Sequence, residues 1–161
     1  MAEKAKPVPD GFHTLTPHLT VRDAEKAIDF YQKAFGAEVR GKNHAPDGKK
    51  IIHASLKIGD SMLMLNDEFP EWGTVAPSAT GGTGIAIHVY VDNVDTIFDR
   101  AVSAGATVKM PLMDAFWGDR YGQIVDPFGH KWSLATHVRD MTQEEMRKEQ
   151  EAAFAHMPKS A

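Results

Sequence analysis

The chain has no cysteine, which removes disulfides, thiolate metal centres, iron–sulfur clusters and cysteine nucleophiles, and fits a reducing compartment. No segment approaches the roughly 20 consecutive apolar residues needed to cross a bilayer. The leading MAEKAKPVPDGF carries charges and prolines in place of an apolar stretch. Charge imbalance is also small, a formal net charge of −4, and the basic residues are scattered among acids with no stripe that would follow a phosphate backbone. These absences predict a soluble, unexported, cytoplasmic protein that partners neither nucleic acid nor membrane. What the 161 residues do supply is length for one domain, or two small modules sharing a core, stable without covalent staples.

The segment HTLTPHLTV alternates, with Leu15, Leu19 and Val21 on one side and Thr14, Thr16, His18 and Thr20 on the other, which predicts a half-buried strand. RDAEKAIDFYQKAFG then changes to a helical period. Ala24, Ala27, Ile28, Tyr31 and Phe35 fall on one stripe, Asp23 stands at the N-cap and Gly36 at the stop. AEVRGKNHA, KIIHASLKIG and SMLMLNDE, parted by the turn signals PDGK and GDS, read as three further strands.

Residues 13–68 therefore read as a βαβββ module after a flexible tail over 1–12. The Gly, Pro, Ser and Thr of 69–83 read as a linker, and GGTG at 81–84 precedes a strand, not the helix start that a phosphate-cradling loop requires. The order repeats over 84–138, with Val94, Ile97, Phe98, Ala101 and Val102 on the face of the second helix. PHLTVRDAEKAIDF and IHVYVDNVDTIFDR superimpose strand on strand and cap on cap, placing His18 on His88. Residues 139–161 read as a terminal helix anchored through Met146 and Phe154, or as a charged, partly frayed tail.

This duplication, with the helix RDAEKAIDFYQKAFGAE and the turn DPFGHKWSL, resembles the vicinal oxygen chelate superfamily of glyoxalase I, extradiol dioxygenases, fosfomycin resistance enzymes and bleomycin-binding proteins. More narrowly, LTPHLTVRDAEKAIDFYQKAFGA and WGDRYGQIVDPFGHKWSLATH look like the PhnB-like branch. The resemblance implies an α+β fold of two tandem βαβββ modules forming a cup-shaped mixed sheet, with helices on the convex side, a C-terminal helix and a homodimeric assembly. Metal enzymes of the superfamily place ligands on the first and last strand of each module. Laid onto this chain, those four positions hold Thr16, Met64, Ala86 and Ser133, which do not make a first shell for Zn²⁺ or Ni²⁺.

The expectation is thus a binding protein for a small organic ligand, with no metal site and no cofactor. The candidate ligand-binding residues are His18, Met64, His88, Trp117, Tyr121 and Ser133. The aromatics, with Phe116, offer a flat apolar surface with a phenol handle; ordinary packing between sheets explains them equally.

Met62, Met64, Met110 and Met113 read as core filling or as adaptable wall. Arg120 has three readings: a pair with Asp119, a pair with a neighbouring loop, or a bidentate contact to an anionic ligand. His53 and His137 lie in strands of undetermined register; His44, His130 and His156 read as solvent-exposed. The alternative function is a lyase-like or dioxygenase-like enzyme that uses a displaced metal, or acid–base chemistry from His18 and His88. Catalytic residues are not assigned. A methyltransferase is disfavoured, because no glycine-rich strand-to-helix loop is present.

Overall fold

The computed structural model describes residues 4–77 and 81–155. Strand β1 (His18–Val21) leads into helix α1 (Ala24–Phe35), and strands β2 (Glu38–His44), β3 (Ile51–Ile58) and β4 (Ser61–Asp67) follow. A 3₁₀ turn at Pro70–Trp72 lies in the linker. The second module then repeats the plan with β5 (Ala86–Tyr90), α2 (Val94–Ser103), β6 (Thr107–Asp114), β7 (Asp119–Val125) and β8 (Lys131–His137), before a terminal helix α3 (Gln143–Phe154). The sheets have equivalent orders, β1-β4-β3-β2 and β5-β8-β7-β6, with the outer pairs β1·β4 and β5·β8 parallel and the rest antiparallel. Among the described residues no helix is long and apolar enough to cross a membrane.

Each helix begins where a short polar side chain takes up a free backbone donor. Asp23 accepts from Lys26 N and Asn93 from Thr96 N, both at 3.1 Å. Gly36 closes α1 in the left-handed conformation at φ 66°, where glycine carries no side-chain penalty. Each helix start is also tied to the last strand of its module: Ala24 N donates to Asp67 Oδ1 and Val94 N to Thr136 Oγ1, both at 2.9 Å.

A single core joins the modules. Tyr31 and Phe35 of α1 lie against Trp132 of β8, with ring centroids 5.4 and 4.7 Å apart. Beneath them the buried Asp126 accepts from Tyr31 Oη at 2.6 Å, Trp132 Nε1 at 2.9 Å, and the backbone N–H groups of Phe128 and His130. Burial and the adjacent carboxylate push the Tyr31 phenol well above its ordinary range. The sheets' other faces look away from this shared core, and on them His18 and His88 are exposed.

Three expectations are corrected. Leu15 does not reach the core but is 89% exposed, because the strand starts only after Pro17, and Thr16 is held in a turn by its hydroxyl bond to His13 O. Val102 is exposed on the outer side of α2, near the end of the helix where the apolar stripe turns off the sheet. His130 is not solvent-exposed: it is part-buried, and its Nε2 bonds Thr20 O at 2.9 Å across the two modules.

Candidate functional site

Strand pairing sets the site residues in rows. On the open face of the first sheet His18 is opposite Met64, and Met64 opposite Ser55. On the second, His88 is opposite Ser133, and Ser133 opposite Gln123. Met64 and Ser133 are thus structural equivalents, as the resemblance to the superfamily implies. His18 and His88 are equivalent too, but they stand on separate sheets and make no contact within the chain.

The first open face is a polar and thioether patch. Asn66 Nδ2 donates to Asp67 O, which leaves Asn66 Oδ1 as the acceptor facing His18 Nε2 at 2.8 Å. His18 therefore carries its proton on Nε2. The ring of His53 meets that of His18 edge-on at 5.7 Å, and its Nε2 lies 3.2 Å from Met64 Sδ.

Aromatic rings dominate the second open face. His88 stacks against Tyr121 at 6.0 Å and meets Tyr90 edge-on at 4.5 Å; Trp117 meets Tyr121 edge-on at 5.1 Å. His88 Nδ1 is 2.6 Å from Ser133 Oγ, whereas its Nε2 has no hydrogen-bond partner among the described residues. Gln123 donates to Tyr121 Oη at 2.7 Å, so the phenol keeps its own proton for another acceptor. Two unspent polar atoms on a ring-lined wall suit a flat organic molecule with hydrogen-bonding substituents.

At the rim, Asp119 is only 1% exposed. It accepts from Tyr90 Oη and Trp117 Nε1, both at 3.0 Å, and from His137 Nδ1 at 2.7 Å. His137 Nε2 meets Asp140 at 2.8 Å. Hydrogen bonds to Asp140 and then Asp119 raise the His137 pKa above its ordinary value. A cleft of ≈ 400 Å³ opens here, lined by Tyr90, Val91, Asp92, Thr136 and His137. Sequence reasoning missed Asp119, Tyr90 and Gln123. Alternation along β5 and β7 carries a signal for all three, since each lies two residues from a chosen one.

Arg120 does not pair with Asp119. It grips Asp95 of α2 with two bonds of 2.8 Å and reaches Asp114 at 3.3 Å, so its fork is already occupied. Met62 is buried, while Met110 and Met113 are exposed on β6. His44 is exposed beside Glu25, and His156 lies outside the described residues.

The donor set does not fit the metal of the superfamily's enzymes. Thr16 precedes β1, Met64 offers a thioether, and Ala86 offers nothing and pairs in register with the cation Lys131. Ser133 is engaged with His88. Among the described residues no group of three or more His, Asp or Glu is arranged to hold a metal ion.

Paired βαβββ modules with open, cup-like sheets define a protein of the vicinal oxygen chelate type. The chain belongs to the Glyoxalase/Bleomycin resistance protein/Dioxygenase superfamily, whose family model matches residues 11–134. It is 49% identical over 136 residues to an uncharacterized protein of Mycobacterium tuberculosis H37Rv, covering 83% of this chain and 79% of that one. It is 26% identical over 149 residues to Protein YjdN of Escherichia coli K12, covering 80% and 99%. The crystal structure of TioX from Micromonospora sp. ML1 superimposes with a TM-score of 0.61 at 30% identity, covering 78% of this chain and 99% of that one.

Proposed function

We propose that this protein is a metal-independent receptor for a small planar organic molecule, of the kind the bleomycin-binding part of the superfamily suggests, in the PhnB-like branch and in the cytoplasm. The observation that carries the reading is the ring-lined open face of the second sheet, where Trp117, Tyr121 and His88 surround an unspent His88 Nε2 and a free Tyr121 proton. The same sheet lacks a donor at Ala86 and has Ser133 where a carboxylate would be needed.

A homodimer completes the cup. In one chain the two open faces are turned outward, and a ligand on either would be half wrapped; a second copy set against them supplies the opposite wall. His18, His53 and Met64 of the first sheet then provide the polar and soft side of the cavity.

One observation favours an enzyme as the second reading. The His88–Ser133 contact of 2.6 Å orients the imidazole of an exposed residue through one nitrogen, an arrangement suited to acid–base chemistry at the other. A displaced metal would need His18 and His88 to converge from two chains.

The test is made on tag-free protein. Elemental analysis is expected to find no stoichiometric transition metal, and 8-anilinonaphthalene-1-sulfonate, a probe with a flat naphthalene ring, is expected to raise the melting temperature by mass action in the wild type but not in Trp117→Ala. One metal per chain, lost in both His18→Ala and His88→Ala, would contradict the receptor and favour the enzyme.

A further inference from the structure

The buried carboxylate of Asp119 is not explained by the fold. Register equivalence sets Ser55 of the first module on Gln123 of the second, so four residues earlier Ile51 stands where Asp119 does. The same architecture is thus built with an apolar residue at this point. Sequestering a charge is unfavourable unless partners satisfy it, and the partners here come from three separate segments: Tyr90 on β5, Trp117 in the β6–β7 turn and His137 at the end of β8. Tyr90 is 62% exposed, so its hydroxyl bond orders a ring that solvent would otherwise leave free to rotate. Trp117 is held by the same oxygen, Oδ2, which couples the two rings' orientations. That oxygen also raises the Tyr90 phenol above its ordinary range, as a proton shared with a carboxylate requires.

We propose that Asp119 is the positioning residue of the aromatic wall: it fixes Trp117 and Tyr90 in the attitude in which a planar ligand meets the second sheet. His137 Nδ1 holds the carboxylate's other oxygen, Oδ1, at 2.7 Å. The ligand itself touches the rings, not Asp119. This rests on the reading that the wall binds such a ligand, and preorganised rings bind more tightly because less freedom is lost on association.

The experiment uses the full chain, 8-anilinonaphthalene-1-sulfonate as probe, and the indole N–H resonances of Trp117 and Trp132 as internal reporters. Trp132 donates to Asp126 in the shared core and reports an intact fold. Asp119→Asn is expected to shift the Trp117 resonance, leave Trp132 in place and weaken probe binding by about fivefold or more, the scale of one or two hydrogen bonds. Tyr90→Phe, which keeps the carboxylate and cuts only one ring's bond to it, is expected to weaken binding in the same direction.

Wild-type affinity in Asp119→Asn with Trp132 unmoved would overturn the proposal. If Asp119→Asn disturbs Trp132, Tyr90→Phe decides, and unchanged affinity there overturns it. Trp117→Ala separates the two levels: full affinity in that variant sinks the ligand-site reading itself, whereas loss of affinity there with none in the other variants sinks only the role of Asp119.

Discussion

Two aspartates show how a buried carboxylate acquires different work from its surroundings. Asp126 takes two side-chain and two backbone donors in the core that joins the modules, so Asp126→Ala leaves Tyr31 and Trp132 donors without partners. We expect a loss of about 3–5 kcal/mol, measured by urea denaturation, against about 1 kcal/mol for Tyr31→Phe; equal losses would show that the carboxylate has no special part. Asp119 takes three donors at the rim, and one of them, His137, is an imidazole. The raised pKa of His137 means that its contribution to stability is fully present below the ordinary imidazole value near 6.5. It is lost as pH rises through the folded-state value, when a neutral ring can no longer donate to both Asp119 and Asp140. The melting temperature of the wild type is expected to fall toward that of His137→Ala as pH rises above about 6.5; a gap that stays constant with rising pH would contradict it.

At the scale of elements, caps and close contacts govern what a substitution does. Gly36→Ala puts a Cβ at φ 66° in open space, so the cost is conformational, about 1 kcal/mol. Gly122→Ala on β7 is different: its Cβ would stand 2.8 Å from the Phe98 ring and 3.1 Å from Met110 O, an overpacking of about 1–3 kcal/mol. Thermal denaturation should therefore rank Gly122→Ala as equal to or worse than Gly36→Ala, and the reverse order would overturn the packing argument. Helix α3 has no buried residue and holds itself by the Thr142–Glu145 capping box, with Phe154 meeting Phe116 at 6.1 Å. Thr142→Ala is expected to reduce helical circular dichroism slightly and leave the main transition unmoved.

For the whole molecule, duplication was the most legible feature, because strand period, helix period and N-cap recur in the same order in both halves. The equivalence of His18 with His88 followed from the same repeat, and that of Met64 with Ser133 from the resemblance to the superfamily. Contacts between the halves were not legible. Asp126 reaches Tyr31, and His130 reaches Thr20, across about two thirds of the chain, and no local period encodes such a meeting. Leu15 misled because alternation continues in sequence past the point where strand pairing begins, and Val102 because a helical stripe is wider than the surface it covers. The aromatic wall was half visible: Trp117 and Tyr121 stand out by type, whereas Asp119 matters through partners on three segments.

The measurement that bears most directly on the central claim is a titration of ¹⁵N-labelled, full-length protein with 8-anilinonaphthalene-1-sulfonate, repeated after exhaustive chelation. Saturable shifts confined to residues 86–90, 117–123 and 133–135, unchanged by the chelator, are the predicted result. Shifts that vanish on chelation, or that fall on other parts of the chain, would contradict a metal-independent ligand site on the second sheet.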